Sequence, residues 1–171
     1  ILSNTSSSNG GAIYYSGGGN DGGSLNVTNT VIDSNIAYNS YGGGIFISGG
    51  NGPLTNINLD NCNISNNGVT QGGQGGGLHI RGGATINILN SVISNNTTDE
   101  QSGAGIFSDE ATVNITDSEI SNNSAENKGG GIYLENSFAE IINSEINYNN
   151  SSDFNGTGNE VHGGGGGLYI S

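Results

Sequence analysis

The chain has 171 residues, of which 33 are glycine, and it carries a formal net charge of −13 at pH 7. Arg81 and Lys128 are its only strong bases, which argues against nucleic acid or anionic lipid as a partner. Cys62 is the only cysteine, which excludes an internal disulfide, and no apolar run is long enough to span a membrane.

A glycine-rich word followed by alternating side chains recurs six times along the chain. Its copies are GGAIYY at 10–15, GGGIFI at 42–47, GGGLHI at 75–80, GAGIFS at 103–108, GGGIYL at 129–134 and GGGLYI at 165–170. The fourth and sixth residues of each copy lie on one side of an extended chain, which predicts a strand with one buried face. The glycines favour a tight corner or a close approach between neighbouring coils.

A second word, ending in Ile-x-x-Asn, precedes each glycine-rich word. Its isoleucines are Ile1, Ile32, Ile64, Ile93, Ile120 and Ile146, spaced by 31, 32, 29, 27 and 26 residues. In the later copies, apolar residues five and seven positions earlier give the two-residue period of a half-buried strand. Small residues two positions earlier share that inward parity: Thr30, Cys62, Ser91, Ser118 and Ser144. Cys62 is therefore predicted to be a small buried residue rather than a nucleophile.

Asparagine columns lie three residues before and three residues after this isoleucine. The earlier column is Asn29, Asn61, Asn90, Asp117 and Asn143, and the later one is Asn35, Asn67, Asn96, Asn123 and Asn149. Asparagine tolerates turn conformations, and stacked amides hydrogen-bond to one another. Both columns are therefore predicted to be structural corners.

A repeat of this length predicts about three short strands and three corners. One such unit cannot bury its own core, whereas stacked units pair each strand with its counterpart about 4.8 Å away. We therefore predict an all-β, right-handed parallel β-helix (solenoid) of about five to six coils of 26–36 residues. Residues 1–171 are expected to form a single segment of a longer repeat array. Its variable loops, at 17–24, 49–56 and 150–164, are the expected places for specific contacts.

The two words together resemble the repeats of chlamydial polymorphic outer-membrane proteins, which carry GGA[ILV] and FxxN. Here GGAI stands at 10–13, Gly-Gly-Gly-Ile/Leu stands elsewhere, and Ile-x-x-Asn replaces FxxN, as at 93–96. The resemblance covers nearly the whole chain in short, degenerate words. It implies a β-helical passenger domain of a surface-exposed, often adhesive protein.

The fifth position of the glycine-rich word is aromatic or histidine in every copy. The six residues are Tyr14, Phe46, His79, Phe107, Tyr133 and Tyr169. Their outward parity predicts a stripe along one face of the solenoid, and such a stripe could bind sugar rings or a partner protein. The alternative is that neighbouring loops cover the stripe, or that these residues only favour strand formation.

Outward carboxylates form a second candidate site. Glu119 and Glu145 occupy equivalent positions in successive coils, as do Asp109 and Glu135, which places each pair about 5 Å apart. Like charges this close repel each other unless a cation or a proton lies between them. Bound Ca²⁺ is therefore a candidate, although the fold requires no cofactor.

Two functions compete at this level. The first is an extracellular or cell-surface structural or adhesive module, a rigid rod or filament component that presents loops and the aromatic stripe. Its partners would be further repeats or end-to-end copies of the same chain, and carbohydrate or a host or neighbouring cell surface. The alternative is a polysaccharide-active lyase or glycoside hydrolase, which would require a nonrepeating cluster of catalytic groups. Because the register explains most unusual residues, the sequence favours the structural module, with no catalytic residue assigned.

Overall fold

The structure is a computed structural model that describes residues 1–17, 23–50, 55–152 and 164–171. The central parts of the three variable loops predicted at 17–24, 49–56 and 150–164 lie outside the described residues. All regular structure in the described ranges is β-strand, as the two-residue period predicts.

The strands assemble into four parallel sheets, numbered here in the order in which the chain visits them after the glycine-rich word. Sheet 1 contains Ile13–Ser16, Ile45–Ser48, Leu78–Arg81, Ile106–Asp109, Ile132–Glu135 and Leu168–Ile170. Sheet 2 contains Ser24–Thr28, Thr55–Asp60, Ala84–Leu89, Thr112–Thr116 and Phe138–Ile142. Sheet 3 contains Val31–Asp33, Asn63–Ser65, Val92–Ser94, Glu119–Ser121 and Glu145–Asn147. Sheet 4 contains Thr5–Ser6, Ile36–Tyr38, Gly68–Thr70, Thr97–Thr98, Ser124–Ala125 and Asn150–Ser151.

Each full coil thus holds four strands, and the prediction of about three was wrong. The strand that the prediction missed belongs to sheet 4, between the Ile-x-x-Asn word and the glycine-rich word. Its members are only two or three residues long, for example Thr97–Thr98. A segment this short cannot display a two-residue period, so only the pairing between coils defines it.

The register predicted from the two words is confirmed. In sheet 3, Ile32 pairs with Ile64 and Ile64 pairs with Ile93. In sheet 1, Ile45 pairs with Leu78 and Leu78 with Ile106. These six side chains are fully buried and belong to one core that runs through the coils. The coil interior is thus filled by columns of Ile, Leu and Val, which are stabilised by burial of apolar surface.

Small hydroxyl residues form the inward column beside sheet 3, as predicted. The Ser118 hydroxyl donates to the carbonyl of Thr116 at 2.8 Å and accepts from the backbone N–H of Ser91 at 3.1 Å. Cys62 takes the same place, and its backbone N–H donates to the Ser91 hydroxyl at 3.0 Å. Burial raises the pKa of the Cys62 thiol. A buried, protonated thiol in a serine column matches the structural interpretation of Cys62.

The corners between sheets 2 and 3 use left-handed backbone. All members of the earlier asparagine column have positive φ: Asn29, Asn61, Asn90, Asp117 and Asn143 lie between 47° and 53°. Asparagine and aspartate tolerate this conformation better than other non-glycine residues. The prediction of structural corners is therefore confirmed for this column.

The later asparagine column forms a continuous chain of hydrogen bonds, called here the amide ladder, which is buried in the central coils and part-buried at its two ends. It comprises Asn4, Asn35, Asn67, Asn96, Asn123 and Asn149. Each backbone N–H and each Nδ2 donates to the Oδ1 of the asparagine in the following coil, for example from Asn67 to Asn96 at 2.9 and 3.1 Å. Its Nδ2 also donates to a backbone carbonyl of the preceding coil, as from Asn96 to Ile64 at 3.0 Å. The bonds between amides all run toward the following coil and the bonds to carbonyls run toward the preceding coil, so the ladder holds each coil to both neighbours.

Candidate functional site

The six outward residues of sheet 1 form a single stack of rings, called here the aromatic ladder. It comprises Tyr14, Phe46, His79, Phe107, Tyr133 and Tyr169. Successive ring centroids lie 5.3, 5.2, 4.9, 5.2 and 5.1 Å apart, with interplanar angles of 6° to 16°. The parallel register of the strands produces this spacing, because side chains at one position repeat at the distance between strands.

The expectation of an exposed aromatic stripe holds only toward the two ends of the ladder. Tyr14 is 58% exposed, whereas Phe46, His79 and Phe107 are 0%, 3% and 2% exposed. Tyr41, from the segment before the second strand of sheet 1, packs against His79 at 4.8 Å. Because neighbouring rings occupy both faces of each central ring, those faces cannot stack on a sugar. Tyr133 and Tyr169 are half-buried.

Both strong bases contact this ladder, which sequence reasoning did not foresee. The guanidinium carbon of Arg81 lies 5.2 Å from the centroid of Phe46. The Nζ atom of Lys128 lies 4.8 Å from the centroid of Tyr169 and donates to its hydroxyl at 3.2 Å. The sequence signal for Arg81 was its position two residues after His79 on the same strand, which places it on the same outward face.

His79 occupies the most restricted position in the ladder. It lies between Phe46 and Phe107, and its Nδ1 has no hydrogen-bond partner among the described residues. Burial lowers the pKa of His79 to about 3, and the charge of Arg81 contributes to the same shift. The imidazole is therefore neutral at physiological pH and packs as an aromatic ring.

The two predicted carboxylate pairs are both in register. Asp109 pairs with Glu135 in sheet 1, and Glu119 pairs with Glu145 in sheet 3. Their surroundings differ, because Arg81 is the next residue in the Asp109 column, whereas Val92 precedes Glu119. The sheet 3 pair therefore lacks a neighbouring base within its own column. The calcium bridge stays a prediction, and the sheet 3 pair is its better candidate.

A shallow groove follows the corner between sheets 2 and 3. Its volume is about 410 Å³, and its lining includes Asn90, Asp117, Glu119, Asn143 and Glu145. A second groove of about 320 Å³ continues along the same corner, and both are lined by Asn90 and Val92. The corner amides and carboxylates can accept or donate hydrogen bonds to a polar ligand, and the carboxylates disfavour an anionic one.

Replacing Glu119 with glutamine is expected to raise the free energy of unfolding by about 0.3 to 0.5 kcal/mol at low salt. The substitution removes a like-charge contact with the Glu145 carboxylate while keeping the size of the side chain. Urea unfolding at low and high salt measures the effect. Asp109→Asn is the matched control, for which we expect a smaller gain because Arg81 lies beside Asp109.

Bound calcium would make the unmodified protein more stable than the Glu119→Gln variant, which is the reverse of the order expected without calcium. If Ca²⁺ bridges Glu119 and Glu145, added calcium raises the unfolding midpoint of the unmodified protein but not that of the Glu119→Gln variant. A chelator then removes the difference. Equal midpoints with calcium and with chelator would exclude the bridge.

Within the parts of the chain that the structure describes, no group of three or more His, Cys, Asp or Glu side chains is arranged to hold a metal ion. The described ranges also contain no helix with the length and apolarity that a membrane crossing requires.

The comparisons with known proteins bear on the fold. A family model described as a right handed beta helix region matches residues 1–171. No curated protein and no solved structure matches the chain. The match agrees with the four parallel sheets and supplies the right-handed sense that the crossover rule predicts.

Proposed function

Because the chain belongs to the right-handed β-helix family, we propose that it is a structural module of the cell surface or extracellular space, a rigid rod that presents its side faces to a partner. The family includes both polysaccharide-active enzymes and proteins without enzymatic activity. The choice between them therefore depends on what the side chains of this chain are used for.

One observation carries the proposal: the chain's most distinctive polar and aromatic side chains connect one coil to the next. The amide ladder joins six successive coils through side-chain hydrogen bonds, of which the three central ones are buried. The aromatic ladder parallels it on another sheet, with rings stacked at about 5 Å. Both sets resist bending and separation of the coils, which is the property that a rod requires.

The adhesive part of the proposal concerns the outer surfaces that remain accessible. Sheet 2 presents an outward amide column, Asn26, Asn58, Asn87 and Asn114, whose side chains bond at 2.7, 2.8 and 2.9 Å. Each of these amides retains a second N–H and a second lone pair for a ligand. Together with the corner groove, this face suits an uncharged or cationic partner such as a neutral carbohydrate. From its repeat words, such as GGAI at 10–13, we also propose that the chain is related to the polymorphic outer-membrane protein repeats.

End-to-end association with further repeats is also part of this proposal. Among the described residues, the bonds between ladder amides have a single direction: each Nδ2 donates to the Oδ1 of the following coil, whereas its bond to the preceding coil goes to a backbone carbonyl. A second copy that continues the ladder must therefore dock head to tail. Such an interface is heterologous and would produce filaments rather than closed dimers. Filaments seen by electron microscopy would support head-to-tail association. Their absence at high protein concentration would contradict it.

The alternative, a polysaccharide-active enzyme, is favoured by one observation. Glu119 and Glu145 are register partners that line the same groove, and paired carboxylates are the catalytic groups of glycoside hydrolases. Repetition explains the pair equally well, since Asp109 and Glu135 are arranged in the same way.

Incubation with a panel of neutral and acidic polysaccharides separates the two functions. For a structural or adhesive module, we expect neutral polysaccharides to retard the protein in affinity electrophoresis while their chain length stays unchanged. New reducing ends or unsaturated products that disappear in the Glu119→Gln variant would establish an enzyme. If the protein shows no retardation and no products form, the proposed carbohydrate partner is contradicted. The rod would then have no carbohydrate ligand.

A further inference from the structure

His79 is the only member of the aromatic ladder whose ring can gain a proton near neutral pH in an unfolded chain. In the fold it is 3% exposed and lies 5.2 Å from Phe46 and 4.9 Å from Phe107, measured between ring centroids. Tyr41 covers its edge at 4.8 Å. Phenylalanine at this position would stack equally well, so packing alone does not require a histidine.

Protonation would place a charge where the site cannot solvate it. Nδ1 has no hydrogen-bond partner among the described residues, so the proton that it gains would be a buried donor without an acceptor. The flanking rings would attract the imidazolium through cation–π contacts, but this gain is smaller than the cost of burying the charge. The backbone of Gln74 favours the charged form, but its effect on the pKa of His79 is smaller than those of burial and of Arg81.

We propose that the stack of Tyr41, Phe46, His79 and Phe107 is an acid-opened latch: protonation of His79 releases the Tyr41 segment and exposes the central rings. The latch goes beyond the proposed structural role, because it gives the rod an apolar surface that is accessible only at acid pH. Exposed aromatic surface of this kind binds apolar partners or other copies of the chain.

Among the described residues, the charged and titratable groups around the latch include no acid that pairs with His79. On its own strand the nearest is Arg81, a base. The neighbouring strand Ile106–Asp109 contributes Asp109, which is the register partner of Arg81 rather than of His79. The other neighbouring strand, Ile45–Ser48, contributes none. The covering segment contributes Tyr41, and the loop before Phe107 carries Asp99 and Glu100, both exposed.

The direction of the pH effect follows from the lowered pKa of His79. Above about pH 6.5 the imidazole is neutral in both the closed and the open state, so opening does not depend on pH. As the pH falls from 6.5 toward 3, the His79 imidazole is protonated in the open state but stays neutral in the closed state. The equilibrium constant for opening therefore rises about tenfold for each pH unit in this window.

Hydrogen exchange of the full chain at pH 7 and pH 4.5 tests the latch, with protection factors corrected for the intrinsic exchange rate. In the unmodified protein, we expect protection in residues 39–47 and 76–80 to fall about a hundredfold at pH 4.5. Residues 111–125, in the same chain but outside the latch, are the internal reference and should keep their protection. In the His79→Phe variant, which keeps the stack and removes the titration, the latch segments should be protected equally at both pH values.

Unchanged protection in the unmodified protein, or the same loss in His79→Phe, would overturn the proposal. A uniform loss over the reference segment would also overturn it, because the acid effect would then be global. If His79→Phe does not fold, proton NMR of the unmodified protein decides. The His79 imidazole signals are assigned with a His162→Gln variant. An imidazole that titrates near pH 6.5 while residues 39–47 keep their protection contradicts the latch. Protonation shifted to lower pH and accompanied by loss of that protection supports it.

Discussion

Replacing Asn96 with alanine is expected to lower the free energy of unfolding by roughly 3 to 6 kcal/mol. Its Oδ1 accepts from the backbone N–H of Asn67 at 2.9 Å and from Asn67 Nδ2 at 3.1 Å. Its Nδ2 donates to the carbonyl of Ile64 at 3.0 Å. Truncation removes one buried hydrogen bond from each of these three groups, although Asn67 Nδ2 keeps its bond to the carbonyl of Ile32 at 2.9 Å. Each lost partner costs about 1 to 3 kcal/mol, and less where a second bond remains. Urea unfolding followed by far-UV circular dichroism measures the loss.

Asn87→Ala is the matched control for this prediction. Asn87 also sits in a column of bonded amides, with contacts of 2.8 Å to Asn58 and 2.9 Å to Asn114. It lies on the outer face of sheet 2 and is half-exposed, so water can replace both bonds. We expect a loss below about 1 kcal/mol. Equal losses in Asn96→Ala and Asn87→Ala would show that burial does not increase the contribution of the amide ladder to the free energy of unfolding.

Replacing Gly75 with alanine is expected to cost roughly 3 to 5 kcal/mol, because two penalties add at this corner. Gly75 has φ +72°, a left-handed conformation that costs an alanine about 1 to 2 kcal/mol. An added Cβ would also lie 2.4 Å from the carbonyl oxygen of Leu78, which is backbone and cannot move aside. Every glycine-rich word begins with glycine, from Gly10 to Gly165.

Gly83→Ala separates the two penalties. Gly83 has almost the same backbone conformation, φ +70°, but an added Cβ would meet nothing within 4 Å. We therefore expect only the conformational cost of about 1 to 2 kcal/mol in thermal or urea unfolding. If Gly75→Ala costs no more than Gly83→Ala, the close approach at the glycine corner is not what excludes a side chain there.

The aromatic ladder shows where prediction from sequence succeeded and where it stopped. The outward parity and register of Tyr14, Phe46, His79 and Phe107 followed from the spacing of the glycine-rich words. Their exposure did not, because ring-on-ring stacking and the cover from Tyr41 involve residues that are distant in sequence. The three central rings of the surface predicted to bind sugars are therefore internal packing, whereas Tyr14 at one end remains exposed.

The carboxylate pairs illustrate the same limit in electrostatics. The spacing of the repeat was sufficient to pair Glu119 with Glu145 and Asp109 with Glu135. The same register also places Arg81 in the Asp109 column, although the sequence prediction did not include this base. The contact of Arg81 with the ring of Phe46 depends on a side-chain conformation, which a repeat pattern does not specify.

By itself, the sequence determined the solenoid, its register and its inward columns, because a side-chain period of two within each strand and a repeat of about 30 residues leave few alternatives. Tertiary structure alone decided three things: the fourth sheet, the direction of the amide ladder and the burial of the central rings. Two-residue strands such as Thr97–Thr98 carry no local pattern and exist only through pairing. Hydrogen-bond direction and ring burial depend on which coil lies on either side, and this is settled only when the coils stack.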